Sequence, residues 1–130
     1  MNKLMQFLLE NPIDNIKASV DIGGRLTGMK FSIQPITDTQ IDEANLKATK
    51  HGKSARVKTS IMHTEIILAG CTEPNFRDEG SISKMGVSTP EAFINKILLP
   101  GEKADLATEI LKLSGYDDDE NEVVQEAKNS

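Results

Sequence analysis

His51, His63 and Cys71 are the residues whose types could carry nucleophilic chemistry or hold a metal, and their placement supports neither. A structural zinc site takes four Cys or His ligands at short spacings, and two histidines with one cysteine cannot supply them. His63 stands beside Met62 and Ile66 and reads as a helix residue engaged in packing, while His51 falls in a basic stretch. Cys71 follows Ala69-Gly70 at an expected helix end. A reactive thiol needs a neighbour that favours the thiolate, so Cys71 reads as a small, inert, buried side chain. Gly23-Gly24 lacks the GxxxxGK[ST] and GxGxxG spacings and joins strand to strand, so it is not a phosphate loop. The run Asp117–Glu120 lacks the alternating ligands, central Gly and closing Glu of a calcium loop. No catalytic, metal or cofactor residue is assigned, and a non-enzymatic protein is expected.

One charged cluster remains as a candidate binding surface. Lys47, Lys50, Lys53, Arg56 and Lys58 fall in a stretch with no acid between Glu43 and Glu65. Such a run could meet phosphates, but no aromatic is interleaved for base stacking and the chain as a whole is acidic. The break Leu99-Pro100-Gly101-Glu102 between two expected helices has the outline of a helix-turn-helix. Its second helix carries Glu102, Asp105 and Glu109 against Lys103 and Lys112, a poor surface for phosphates. An exposed or protein-facing basic surface is the preferred reading, and specific nucleic-acid binding is not expected.

The 130 residues suffice for one domain with a modest core. Hydrophobic residues make up 38%, with four Phe, one Tyr and no Trp, so the core must rest on Ile, Leu, Met and Ala. No apolar run approaches the roughly 20 residues of a membrane span, and MNKLMQFLLENP lacks the features of a signal peptide. A single cysteine fits a reducing compartment. The net charge of −5 resides in residues 116–130, which carry six acids and Lys128, leaving the first 115 residues with 14 charges of each sign. The chain therefore divides into a neutral body, 1–115, and an acidic tail, 116–130, expected to be mobile or weakly helical.

Residues 3–10 predict a short amphipathic helix with Leu4, Phe7 and Leu8 on one face, ended by Asn11-Pro12. Ala18, Val20 and Ile22 alternate with polar residues, as do Met29, Phe31 and Ile33, which predicts a β-hairpin about Gly23-Gly24 with a longer loop near Gly28. Thr37 and Gln40 form a capping-box pattern that starts a helix to about Lys50, with a thin apolar face of Ile41, Ala44 and Ala48. His51–Lys58 reads as a loop or frayed helix end, and a helix follows from Thr59 to Ala69 with Gly70 as its stop. A turn-rich stretch, Cys71–Gly80, leads to a short helix ending at Gly86. The next helix starts either with Ser88 as cap or with Thr89 as cap and Pro90 first. It should bury Phe93, Ile94, Ile97 and Leu98. A last helix, about Glu102–Ser114, turns Ala104, Ala107, Ile110 and Leu111 inward and is capped by Gly115. Phe93, Ile97, Ile110 and Leu111 are expected to pack between these last two helices. The expected fold is α+β, an N-terminal β-hairpin packed with about four helices.

The order "FSIQPIT", "IILAGCTEPNF", "KMGVSTPEAFINKILLPGE", "LKLSG" and an acidic end resembles the XkdN-like tail assembly chaperones of long-tailed phages and prophages of Gram-positive bacteria. The most specific pieces, Gly86–Pro90, Leu99–Glu102 and Leu113–Gly115, all encode helix boundaries. The resemblance implies a virion-assembly protein acting in the host bacterial cytoplasm. Such a protein would bind the tape measure protein, keep it soluble while the tail tube forms, and be absent from the mature virion. Further partners it implies are the tail tube protein and a longer form of the chain made by programmed −1 frameshift. Ala127-Lys128-Asn129 is compatible with a slippery A-AAA-AAC. Homo-oligomerisation is left open. A client helix would dock by apolar contact, to which five methionines (Met1, Met5, Met29, Met62, Met85) would lend adaptability. A nucleic-acid-binding or transcriptional regulator and a minor structural tail protein stand as alternatives.

Overall fold

The paired alternations of the N-terminal third do form a hairpin in the computed structural model, which describes residues 2–116. Strand β1 (Ala18–Val20) runs antiparallel to β2 (Phe31–Ile33), with Ala18 opposite Ile33 and Val20 opposite Phe31. The connection is long, as Gly28 suggested. Both Gly23 and Gly28 have positive φ, and the Asp21 carboxylate accepts their amides at 2.8 and 2.7 Å. These two bonds hold the Asp21 carboxyl below the usual carboxylate range. A third strand, β3 (Cys71–Glu73), pairs antiparallel with β2 inside the stretch expected to be turn-rich, so β2 is central and its Phe31 and Ile33 are buried.

Six α-helices accompany this sheet among the described residues. Helix α1 (Lys3–Glu10) precedes it, α2 (Asp38–His51) and α3 (Ala55–Gly70) follow the hairpin, and α4 (Glu79–Lys84), α5 (Pro90–Ile97) and α6 (Pro100–Leu113) follow β3. The fold is α+β, as the periodicities predict. Thr37 caps α2 in the expected box: its hydroxyl accepts from Gln40 N–H, and the Gln40 side chain accepts from Thr37 N–H. Thr89, not Ser88, caps α5, accepting from Ala92 N–H at 3.1 Å with Pro90 at the first helical position.

Two boundaries differ from expectation. The segment His51–Lys58 is mostly helix, because Ser54 accepts from Val57 N–H and starts α3 one turn early, leaving Gly52–Ser54 as the connection. Gly70 does not stop α3 through a left-handed backbone. It is the last helical residue, and a Cβ there would collide with Ile110 of α6, so its small size is what the fold requires.

Helix α3 is the axis of the core. Met62, Ile66, Ile67 and Leu68 are buried among Ile41, Ala44 and Ala48 of α2 and Leu106, Ala107, Ile110 and Leu111 of α6. Helices α5 and α6 both pack on α3 rather than chiefly on each other, which replaces the expected two-helix sandwich. Accordingly Phe93 and Ile94 are buried, whereas Ile97 is only half-buried. Three polar ties fasten the assembly. Arg25 in the hairpin loop donates to the Ile97 carbonyl at 2.7 Å and grips both Glu102 carboxylate oxygens through Nε and Nη2 at 2.7 and 2.8 Å. Lys47 of α2 pairs with Glu65 of α3 and Glu91 of α5 at 3.0 and 3.3 Å. Ser114 accepts from Ile36 N–H and donates to the Ile110 carbonyl. The acidic run Asp117–Glu120 and the rest of the expected tail lie outside the described residues.

Candidate functional site

The C-terminal half of α3 is enclosed, but its first two turns are not. Ala55 and Val57 are exposed, and with Ile61 they form one wall of an open, mostly apolar groove of about 820 Å³. Asn95 of α5 and Pro100 and Lys103 of α6 form the other wall. That volume lies within the roughly 300–1,000 Å³ typical of binding clefts. Among the described residues, Arg56, His63 and Lys103 are the titratable groups that line it, and no carboxylate does.

Lys103 is the unusual member. It is only 4% exposed, and its ammonium donates to Ser60 Oγ at 2.8 Å and Asn95 Oδ1 at 2.6 Å. Among the described residues no carboxylate lies within ion-pair distance of it. Burial therefore acts on it uncompensated and lowers its pKa from the usual lysine value. A desolvated cation held by two neutral groups favours any occupant that brings an anion.

The five basic residues singled out by sequence lie from the later turns of α2 to the first turn of α3. Arg56 lines the groove, and Lys53 lies in the short connection just before α3. Lys50 is exposed in the last turn of α2, and Lys58 is half-buried over Gly52. Lys47 is exposed, but its ammonium is already paired with Glu65 and Glu91. Its bond to Glu65 raises its pKa, whereas burial raises that of Glu65.

The chain from residue 4 to residue 128 matches the family of phage XkdN-like tail assembly chaperone proteins. The chain belongs to this family. Comparison with curated proteins gave no match. The crystal structure of the protein yqbn is similar in fold, with a TM-score of 0.59 at 19% identity over 78% of this chain and 86% of that one.

For a tail assembly chaperone the reactive residues are placed unremarkably. Cys71 is buried at the start of β3, its Sγ donating to the Glu73 carbonyl at 3.5 Å, and burial pushes its thiol up to about 12. It holds its proton at neutral pH. His51 is exposed and His63 is half-buried at the groove. Among the described residues no cluster of three or more His, Cys, Asp or Glu could hold a metal, and no helix is long and apolar enough to cross a membrane. Sequence reasoning reached Arg56 but missed Lys103, because a lysine in the first turn of an amphipathic helix ordinarily faces water. Its signal was indirect: it follows Glu102, and the two together occupy positions where the helix turns inward.

Proposed function

We propose that this tail assembly chaperone binds a tape measure protein in the host bacterial cytoplasm and keeps it soluble until the tail tube forms around it. The observation that supports this best is the apolar groove between α3, α5 and α6, which is shaped for a helix face rather than for a reaction. A tape measure protein is long and helical, and its exposed apolar stripes would aggregate unless covered. Lys50, Lys53, Arg56 and Lys58 are proposed to steer acidic segments of the client toward the groove, with Lys47 contributing mainly through the fold. The tail tube protein and a frameshifted longer form of the chain are proposed as secondary partners.

Co-expression tests the reading. The tape measure protein encoded beside this gene should be recovered in higher soluble yield when the two are made together. Replacing Lys50, Lys53, Arg56 and Lys58 with Ser should weaken the complex at low salt and leave the fold intact. Sequence-specific, nanomolar binding of duplex DNA with no effect on client solubility would refute the chaperone reading in favour of a regulator.

A further inference from the structure

Helix α1 is a second apolar feature, left uncovered by the described residues. Leu4, Phe7 and Leu8 share one face, at spacings of three and four residues, and are 66%, 60% and 53% exposed. None of its eight residues is buried, and apolar exposure continues through Ile13 and Ile16. The helix is held by its own ends: Asn2 accepts from Met5 N–H, and Asn11 donates to the Phe7 carbonyl. A helix this short is marginal in water without a surface to pack against, since isolated helices need about 12–15 residues even in favourable sequences.

Groove and helix match in chemistry. The groove is mostly apolar, carries the uncompensated Lys103 ammonium and the Arg56 guanidinium, and is lined by no carboxylate among the described residues. Helix α1 carries an apolar stripe with its charges at opposite ends, Lys3 at its first residue and its single acid, Glu10, one turn beyond Phe7 at its last. We infer that α1 of one copy seats in the α3–α5–α6 groove of a second copy, with Leu4, Phe7 and Leu8 on the apolar wall and Glu10 against Lys103. Reciprocal exchange of the two arms gives a twofold dimer with both grooves filled. The inference concerns the chaperone alone and stands whether or not its client is a tape measure protein. For a client that uses the same groove, the exchanged arm is a competitor that must leave.

The test uses the full chain without any client, by sedimentation or light scattering across a concentration series, with circular dichroism confirming each fold. Wild type should be a dimer at tens of micromolar. The arm variant Phe7→Ser/Leu8→Ser and the groove variant Val57→Asp should each be monomeric, because each removes one half of both contacts. Ala55→Asp serves as the groove variant if Val57→Asp unfolds. Mixing arm and groove variants should restore a 1:1 dimer through the one intact pairing. Glu10→Gln and Lys103→Met should each weaken dimerisation about tenfold, and the double variant no further. A wild type that stays monomeric at every concentration overturns the inference, as does an arm variant that still dimerises or a mixture that does not recombine.

Discussion

Helices α1 and α5 are both eight residues long, both amphipathic and both capped by a side chain at the N-terminus. Their fates are opposite. Phe93 and Ile94 of α5 are buried against the core, with Phe93 6.2 Å from the Phe76 ring, while Phe7 and Leu8 of α1 face outward. Periodicity specifies that a helix has an apolar face. It does not specify what covers the face, which is decided by the rest of the chain for α5 and, on the inference above, by another chain for α1.

Mutation can sharpen that contrast. Phe93→Ala should cost about 3–5 kcal/mol in denaturant unfolding, the range for a large aromatic removed from a core. A loss under 1 kcal/mol would show that α5 is no more anchored than α1. Ile97→Ala, half-buried on the same helix, should fall below the roughly 2 kcal/mol floor for a fully buried isoleucine. Gly70→Ala should cost about 1–3 kcal/mol by overpacking against Ile110, and an unchanged midpoint would remove the close-contact argument.

Lys103→Met should act in the other direction and raise stability by about 1 kcal/mol, because an unpaired buried cation is replaced by an apolar chain of similar length. Destabilisation would mean that the bonds to Ser60 and Asn95 outweigh burial. A pH titration separates the second tie at the α5–α6 joint. The Arg25 side chain, and next the Leu99 amide, hold the Glu102 carboxyl below its ordinary value of 4.5. Stability from this pair is therefore full above pH 4.5 and is lost as pH falls through that value and below it. The gap between wild type and Arg25→Gln should shrink over that window, and a gap constant from pH 7 to pH 3 would exclude the ion pair as its source. Smallest of all, Phe7→Ala should change the unfolding free energy of dilute, monomeric protein by less than about 0.5 kcal/mol.

The parts legible in the sequence were those encoded by local chemistry. Thr37 with Gln40, Thr89 with Pro90, and the positive-φ glycines Gly86 and Gly115 each mark a boundary within three or four residues. Strand β3 escaped notice because it follows α3 directly and meets Pro74, so no alternation extends beyond its three residues as it does around β1 and β2; its pairing is set by β2, some forty residues earlier. The start of α3 was hidden by the charges around Ser54. Leu106, fully buried, was passed over beside the alanines. The groove was illegible for a related reason: its walls come from three helices, and only their packing brings Val57, Asn95 and Lys103 together.

The bond from Ile36 N–H to Ser114 spans 78 residues and ties the entrance of α2 to the end of α6. A ribosome adds about 5–20 residues per second, so roughly 4–16 seconds separate the two partners at birth. Helix α3 is complete only at Gly70, 36 residues before Leu106 and 41 before Leu111, so for about 2–8 seconds of that interval the face of α3 that they cover stays open to solvent. The nascent chain is thus briefly in the condition proposed above for its client.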